Sequence, residues 1–541
     1  MSEALTHLWP ELALFLTTCV VMVVGLSANR RVRTLTPWIT ALGLVIAAGM
    51  ALQSPAVDGP FAYLMGYSKA VIAIVGLILL PLAAGVVDRD LDALLDSGKM
   101  KFSPLRATRA EFYAFFLFSL TGLMLVSSAD DLIWLFLALE LTSLPTYIMV
   151  TISTRGTKSQ EAGVKYFFLG AMGAAIFLYG FTLIYGATGS TDLALIGAHF
   201  AENGLGTLGT LGVMIAIIGL CFKIAAFPMH FYTPDVYEGA AAPVSAFLAF
   251  VPKAAGFLAL ILLLGAVGWT HGGGDGGESG SHLPQNIEAL LWIIAALSMT
   301  VGNVLACLQN SVKRMMAYSS IAHSGYMLVG LIVGPGLLSG AGGGGFTSNG
   351  IAAVLFYILC YGVMNTGVFA VLASLENPDG SEPDQIDELA GLVRTRPMHG
   401  WVIILCTLSL LGFPPLLGFI GKMGLFSAGI NGGHLPLVII LGINSAIAAF
   451  YYLRLVATVY LEPKPDGPDT ITDVPRELMG RPFAALVSAI GVVGLLLVTN
   501  TLMDSANTAA GYTAPVPVAA ADDATQATES PAVSLADPTE P

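Results

Sequence analysis

Five ionisable side chains lie deep within apolar stretches of this 541-residue sequence. They are Glu140 in LIWLFLALELTSLPTY, Lys223 in GLCFKIAAFPMHF, Lys253 in SAFLAFVPKAAGFLAL, His323 in AYSSIAHSGYML and Lys422 in LLGFPPLLGFIGKMGLF. A charge at the centre of a membrane costs about 2.5–3.5 kcal/mol on insertion scales, so such residues usually serve a function. Burial disfavours the charged form of a lysine and a nearby carboxylate favours it, so a movable carboxylate can load or unload the amine. We therefore predict a proton relay through these residues.

Prolines stand close to four of these charges. The pairs are Pro145 with Glu140, Pro228 with Lys223, Pro252 with Lys253, and Pro414 and Pro415 with Lys422. Proline removes a helical hydrogen bond, and within a membrane the freed carbonyl needs protein or cavity water. Because transporters build midplane ion sites from broken helices, the pattern predicts interrupted helices beside the relay.

The helices that must position these residues are indicated by composition. The chain is 55% apolar and only 11% charged, with a mean hydropathy of +0.77, whereas soluble proteins carry about 25% charged residues. Its apolar segments are about 20 residues long, which suits helices that cross a hydrocarbon core of about 30 Å. We predict an all-α, polytopic membrane protein with about fourteen transmembrane helices. The predicted spans are residues 8–27, 36–54, 69–87, 110–128, 131–151, 163–187, 207–228, 239–266, 287–308, 317–335, 350–374, 400–428, 436–460 and 482–503.

Lysine and arginine positions predict the orientation. Of 23 such residues, eighteen fall in or beside alternate loops, four lie within spans, and one, Lys69, falls on the other side. Basic loops face the inside, so both termini are expected on the outer, periplasmic side of a bacterial inner membrane. The net charge of −13 gives no electrostatic basis for binding nucleic acid, and lipid is the expected surrounding.

No cofactor-binding or metal site is predicted in this chain. Its five cysteines form no C-x-x-C pair, which argues against an iron–sulfur cluster and a disulfide framework. Gly204, Gly206 and Gly209 form G-x-G-x-x-G, but no strand precedes them, so the dinucleotide fingerprint lacks its context. No spacing of histidines and carboxylates resembles a metal site.

Phe227-Pro228 and Phe413-Pro414 interrupt the seventh and twelfth predicted spans. A repeat of five helices crosses the membrane an odd number of times, so its second copy would be inverted. The sequence therefore predicts two inverted five-helix repeats, with helices 7 and 12 broken.

Three segments resemble the antiporter-like membrane subunits of respiratory complex I, over about residues 105–460. They are GLCFKIAAFPMHFYTPDVYEGAAAPVSAFLAFVPKAAGF, NVLACLQNSVKRMMAYSSIAHSGYML and LSLLGFPPLLGFIGKMGLF. The resemblance implies that Glu140, Lys223, Lys253, His323 and Lys422 match the family's hydrophilic axis. It also implies a proton-translocating subunit of an NADH:quinone oxidoreductase, with NADH, FMN, iron–sulfur clusters and quinone bound by other membrane and peripheral subunits.

The predicted spans, the resemblance and the composition together divide the chain into five regions. Residues 1–104 hold the first three helices, 105–270 the first repeat (helices 4–8), 285–462 the second, inverted repeat (helices 9–13), 463–503 a loop and helix 14, and 504–541 a disordered tail.

Two other functions remain open at this stage. A subunit of a multi-subunit cation/proton antiporter shares the fold, although the segment TPDVYEG and Lys422 favour the oxidoreductase. A structural spacer without a proton path is opposed by the intramembrane charges. For Lys422, a lysine that only caps a broken helix is the alternative to a relay.

Overall fold

The computed structural model describes residues 7–57, 60–103, 107–154, 156–271, 281–335, 345–463, 471–475 and 478–513. Within these ranges the chain is helical almost throughout. The α-helices are α1 (Trp9–Gly25), α2 (Arg30–Arg33), α3 (Thr36–Ala51), α4 (Leu64–Leu79), α5 (Arg89–Asp96), α6 (Arg109–Ser127), α7 (Leu132–Ile152), α8 (Thr157–Thr188), α9 (Leu193–Asn203), α10 (Gly206–Lys223), α11 (Thr233–Gly239), α12 (Ala242–Val267), α13 (Gln285–Cys307), α14 (Val312–Val333), α15 (Gly350–Ala373), α16 (Leu392–Thr395), α17 (Pro397–Leu411), α18 (Leu417–Asn431), α19 (Leu435–Tyr460), α20 (Gly480–Gly494) and α21 (Thr499–Ala509).

Short elements connect some of these helices. There are 3₁₀ turns at Leu80–Ala83, Ile386–Leu389 and Leu495–Val498. Four two-residue strands form two antiparallel pairs: β1 (Thr270–His271) with β2 (Ser281–His282), and β3 (Leu375–Glu376) with β4 (Thr472–Asp473).

The described ranges contain twelve helices that are long and apolar enough to cross a membrane. Some of them continue through a 3₁₀ turn or a short break. Two further predicted spans correspond to shorter apolar helices, α1 and α17, and α18 continues the second of these after its break. The all-α membrane fold is therefore confirmed, whereas the count of fourteen and the inverted relation of the two repeats stay predictions.

The protein core is formed by α12, α14 and α15, which are almost completely buried. The central helix α12 contacts α6, α7 and α10 on one side and α14 and α15 on the other. Outer helices such as α3 and α20 leave large apolar side chains exposed, which is the surface expected against lipid. The core therefore joins the two parts of the chain that carry the predicted relay residues.

Both predicted helix breaks are present. The seventh predicted span ends as a helix at Lys223, and α11 begins only at Thr233. The twelfth ends at Leu411 and resumes as α18 at Leu417. Each interruption contains one of the proline motifs identified in the sequence.

Two sequence predictions need correction. The third span begins at Leu64 rather than at residue 69, so Lys69 is a fully buried helical residue and not a loop charge on the outer side. The predicted tail from residue 504 is wrong for 504–513, because α21 continues to Ala509 and Tyr512 packs against Phe61 and Trp269. Residues 514–541 lie outside the described residues.

Candidate functional site

Glu140 and Lys223 form an ion pair between α7 and α10. The Lys223 Nζ to Glu140 Oε1 distance is 3.0 Å, and the same ammonium donates to Ser143 Oγ at 2.6 Å and to the Leu139 carbonyl at 3.4 Å. The side chain of Lys223 is 1% exposed and that of Glu140 is 19% exposed. The lysine is thus sealed in protein, while its carboxylate partner lies nearer the surface of the chain.

The break after α10 is held by polar contacts from neighbouring segments. The Phe227 amide donates to Ser298 Oγ at 2.9 Å, and the Tyr232 hydroxyl donates to the Phe222 carbonyl at 2.8 Å. Gly256 lets α12 approach this break, since a Cβ there would lie 2.9 Å from the Cβ of Lys223. These contacts satisfy backbone groups that would be costly to leave unpaired in a membrane.

Lys253 is held on α12 by hydroxyls of α14. Its Nζ donates to Ser320 Oγ at 2.7 Å, to Ser324 Oγ at 2.8 Å and to the Ser320 carbonyl. The ammonium also lies 5.0 Å from the centroid of the Tyr361 ring. Lys253 forms no salt bridge with a carboxylate in the described part of the chain, so neutral oxygens and a ring face surround its amine.

A small cavity lies between Lys223 and Lys253. Its volume is about 10 Å³, and both lysines line it together with Tyr166, Tyr232 and Tyr237; a space of this size holds about one water. Ser324, which accepts from Lys253, donates in turn to the carbonyl of Ile224, the residue after Lys223. Both lysines therefore border one cavity, and Ser324 links Lys253 to the backbone next to Lys223.

His323 lies among tyrosines on the other side of Lys253. Its Nδ1 is 2.7 Å from the Tyr357 hydroxyl and its Nε2 is 3.0 Å from the Tyr452 hydroxyl. Its ring centroid is 5.1 Å from that of Tyr361, the ring that also faces Lys253. Tyr361 thus lies between Lys253 and His323.

Lys422 reaches back across the second break. Its Nζ donates to the carbonyl of Leu411, the last residue of α17, at 2.9 Å, and lies 4.9 Å from the centroid of the Tyr326 ring. Gly412 has φ +89°, a backbone conformation that favours glycine. A Cβ at this position would lie 3.0 Å from Lys422 Cδ, so the glycine also leaves room for the lysine side chain. The Tyr326 ring also contacts His323, with 5.4 Å between ring centroids.

The structure places the five predicted residues along one continuous line of contacts, which is buried except for the partly exposed Glu140. In order they are Glu140, Lys223, Lys253, His323 and Lys422, with the small cavity, Tyr361 and Tyr326 between successive members. Their roles in proton transfer stay predictions.

Sequence reasoning missed an amide and tyrosine network beside Lys422. Asn303 Nδ2 donates to the Tyr326 hydroxyl at 2.8 Å and to Asn444 Oδ1 at 3.3 Å, and the Tyr451 hydroxyl donates to Asn303 Oδ1 at 3.1 Å. The only sequence signal is an asparagine in each of two apolar spans. The network supplies hydroxyl and amide groups next to the ring that Lys422 faces.

A second buried ion pair was also missed. Lys69 Nζ lies 2.7 Å from Glu11 Oε1, and the two side chains are 0% and 4% exposed. Lys69 also donates to the His7 carbonyl at 2.6 Å, and Ser128 donates to Glu11 at 3.1 Å. In the sequence, this pair is indicated only by Glu11 near the start of the first apolar span. The pair joins α1 to α4 and lies away from the five-residue line.

Ion pairs to residues near the ends of two spans fasten the short helix α11. Asp235 accepts from Lys165 and from Arg314, each at 2.8 Å. Partial burial raises the pKa of the Asp235 carboxyl, but the hydrogen bonds from Lys165 and Arg314 have the larger combined effect and lower it. Burial likewise opposes ionisation of Glu382, and the nearby ammonium of Lys313 lowers the pKa of that carboxyl. The two ion pairs of Asp235 hold α11 against α8 and α14, beside the first helix break.

Comparison with known proteins places this arrangement in context. Residues 129–448 match the family described as NADH:quinone oxidoreductase/Mrp antiporter, transmembrane. The chain is 38% identical over 468 residues to NADH-quinone oxidoreductase subunit N of Trichlorobacter lovleyi. The aligned region covers 85% of this chain and 88% of that protein.

Two solved structures are also similar. A chain of respiratory complex I from Thermus thermophilus superposes with a TM-score of 0.69 at 30% identity, covering 92% of this chain and 98% of the other. A chain of the Mrp complex from Dietzia sp. superposes with a TM-score of 0.71 at 18% identity, and the match covers 94% of this chain and 97% of the other. The second likeness shows the fold alone.

Proposed function

Because this chain belongs to the NADH:quinone oxidoreductase/Mrp antiporter family of membrane subunits, we propose that it works as subunit N of a proton-translocating NADH:quinone oxidoreductase. It is a multi-pass subunit of a bacterial inner membrane, with both termini on the outer side. Its partners are the other membrane and peripheral subunits of that complex. The observation that carries the proposal is the continuous line of five ionisable residues.

In this function the lysines hold and pass protons. Lys223 is charged while Glu140 stays at 3.0 Å, and a shift of the carboxylate weakens the hold on its proton. The cavity and Ser324 then offer the route to Lys253. His323 and its tyrosines connect Lys253 to Lys422. Energy released by quinone reduction in other subunits drives the rearrangement.

The chain itself takes no part in electron transfer. Its cysteines are free thiols on five different helices, at Cys19, Cys221, Cys307, Cys360 and Cys406, which offers no cluster ligation. NADH, FMN, iron–sulfur clusters and quinone are bound by other subunits. The regions 105–270 and 285–462 act as two inverted repeats, each with one broken helix beside a lysine.

A cation/proton antiporter subunit is the second candidate, because the Mrp complex chain shares the fold. The two functions differ in what drives proton movement. In the oxidoreductase, protons enter inside-out vesicles only while NADH is oxidised by quinone. In an antiporter, an imposed sodium gradient moves protons without NADH.

The experiment uses inside-out vesicles that contain the complete complex. We expect NADH-driven proton uptake that is lost with Lys223→Ala, and no sodium-driven proton movement in the absence of NADH. A visible spectrum of the purified full-length chain should lack flavin and iron–sulfur bands. Sodium-driven exchange that requires Lys223, or a stoichiometric flavin band, would contradict the proposal.

A further inference from the structure

Three side chains from separate segments converge near the start of α13 and α19. His282 lies in β2, Glu288 in the first turn of α13, and His434 immediately before α19. His282 Nδ1 is 3.5 Å from Glu288 Oε2, and His434 Nδ1 is 3.7 Å from Glu288 Oε1. The two imidazole rings are 5.6 Å apart between centroids. One potential ligand atom from each residue lies within 4.8 Å of the other two.

These distances suit a common divalent ion. Ligand atoms at about 2.0–2.2 Å from a tetrahedral Zn²⁺ lie about 3.3–3.6 Å from one another. His282 Nδ1 lies 3.5 Å from one oxygen of Glu288 and His434 Nδ1 lies 3.7 Å from the other, so each nitrogen–oxygen separation is close to that value. Two imidazoles and one carboxylate are also a known donor set for zinc sites that keep a fourth position for water.

The cluster combines one buried side chain with two partly exposed ones. The side chain of His434 is only 7% exposed, whereas those of His282 and Glu288 are 34% and 24% exposed. Burial lowers the pKa of His434, Glu288 opposes this shift, and His282 adds to it.

From this geometry we propose that His282, Glu288 and His434 form a binding site for a divalent transition-metal ion, best matched by Zn²⁺. The ion would join the β1–β2 pair to the first turns of α13 and α19. Those two helices also carry Asn303 and Asn444, which are hydrogen-bonded at 3.3 Å beside the second part of the relay. The site is separate from the five proton-relay residues and does not depend on their function.

The sequence alone predicted no metal site. The three residues are separated by 6 and 146 positions, so no short motif links them. A cluster of two histidines that pair with a glutamate, without affinity for metal, is the competing explanation.

The test is calorimetric titration of the purified full-length chain with Zn²⁺ alone, using an affinity tag without histidines. We expect one equivalent to bind to the wild type at neutral pH. His282→Ala and Glu288→Gln should each weaken that binding at least tenfold, since losing a partner outside the ligand shell already costs about 10–100-fold. His199→Ala on α9 is the matched control and should bind like the wild type.

His282 carries the test because it is partly exposed, whereas His434→Ala could disturb the start of α19. Thermal unfolding without metal checks that each variant is folded, and added Zn²⁺ should raise the Tm of the wild type and of His199→Ala only. No stoichiometric binding by the wild type would overturn the proposal. Unchanged affinity in His282→Ala and Glu288→Gln, or a loss in His199→Ala, would overturn it as well.

Discussion

The two broken helices hold their lysines in different ways. At the first break, Lys223 is paired with Glu140 at 3.0 Å and also bonds to Ser143. At the second, Lys422 donates to the Leu411 carbonyl and faces the Tyr326 ring. Lys422 forms no salt bridge with a carboxylate within the described residues. Similar parts of the fold thus provide a full counter-charge in one place and only dipoles and a ring in the other.

This difference separates the tasks of the two regions. A buried ion pair is costly to disrupt by removing one partner, at about 3–5 kcal/mol, so the first region holds its proton firmly until the carboxylate moves. A lysine that is balanced only by a carbonyl and a ring changes its charge more readily when water or a dipole shifts. We therefore expect the first region to respond to carboxylate position and the second to hydration.

The largest expected effect comes from breaking the carboxylate-paired region. Lys223→Ala and Glu140→Gln should each lower NADH-driven proton uptake by more than about tenfold, a barrier increase of about 1.4 kcal/mol or more, while the complex still assembles. Glu161→Gln, which removes an exposed carboxylate on α8, is the control and should keep wild-type uptake. Normal uptake in an assembled Lys223→Ala complex would show that the pair is only structural.

A smaller effect is expected at the junction between the regions. Ser324→Ala removes one hydrogen bond to Lys253 and the one to the Ile224 carbonyl. Only the bond to Lys253 acts on the relay amine, and since one hydrogen bond contributes about 0.5–1.5 kcal/mol, proton uptake should fall by about two- to twelvefold. Thr182→Ala is the control, because that hydroxyl bonds only within its own helix, to Leu178. Equal rates in both variants would remove Ser324 from the path.

The smallest effect concerns the ion pairs that fasten α11. The pKa of Asp235 is lowered in the folded chain, so its stabilisation is present above the ordinary pKa of about 3.9 and disappears as pH falls through the lowered value. Because the carboxyl is 36% exposed, Asp235→Asn should cost only about 0.5–1 kcal/mol at pH 7. Thermal unfolding should show this difference at neutral pH and lose it in acid. A difference that persists in acid would mean that the pairs are not its source.

The sequence predicted the charged residues and the helix breaks at which the two regions differ. A lysine or glutamate within an apolar span is visible from composition, and so are the prolines that break the helices. Glu140 and Lys223 lie in the fifth and seventh predicted spans, so their pairing was suggested only by their opposite charges, each with a proline five residues further along. The family motifs then identified the same five residues.

Other features were not visible for physical reasons. The third span was predicted to begin at Lys69, five residues too late, so Lys69 was assigned to a loop. In the structure it is a buried helical residue paired with Glu11. Asn303 and Asn444 are uncharged, so they do not interrupt an apolar pattern. His282 and His434 meet only because the starts of α13 and α19 lie together in the fold, which no local spacing encodes.

The central claim is that Lys422 changes its protonation state rather than capping α17 as a fixed charge. The most direct measurement compares NADH-driven proton uptake in inside-out vesicles that carry Lys422→Arg or Lys422→Glu. Arginine keeps the charge and the contact to the helix end but does not release its proton, whereas glutamate retains a group that can titrate. If Lys422 changes its protonation state, uptake should fall sharply with arginine and be partly retained with glutamate. Wild-type uptake with arginine and none with glutamate would contradict it and make Lys422 a structural cap.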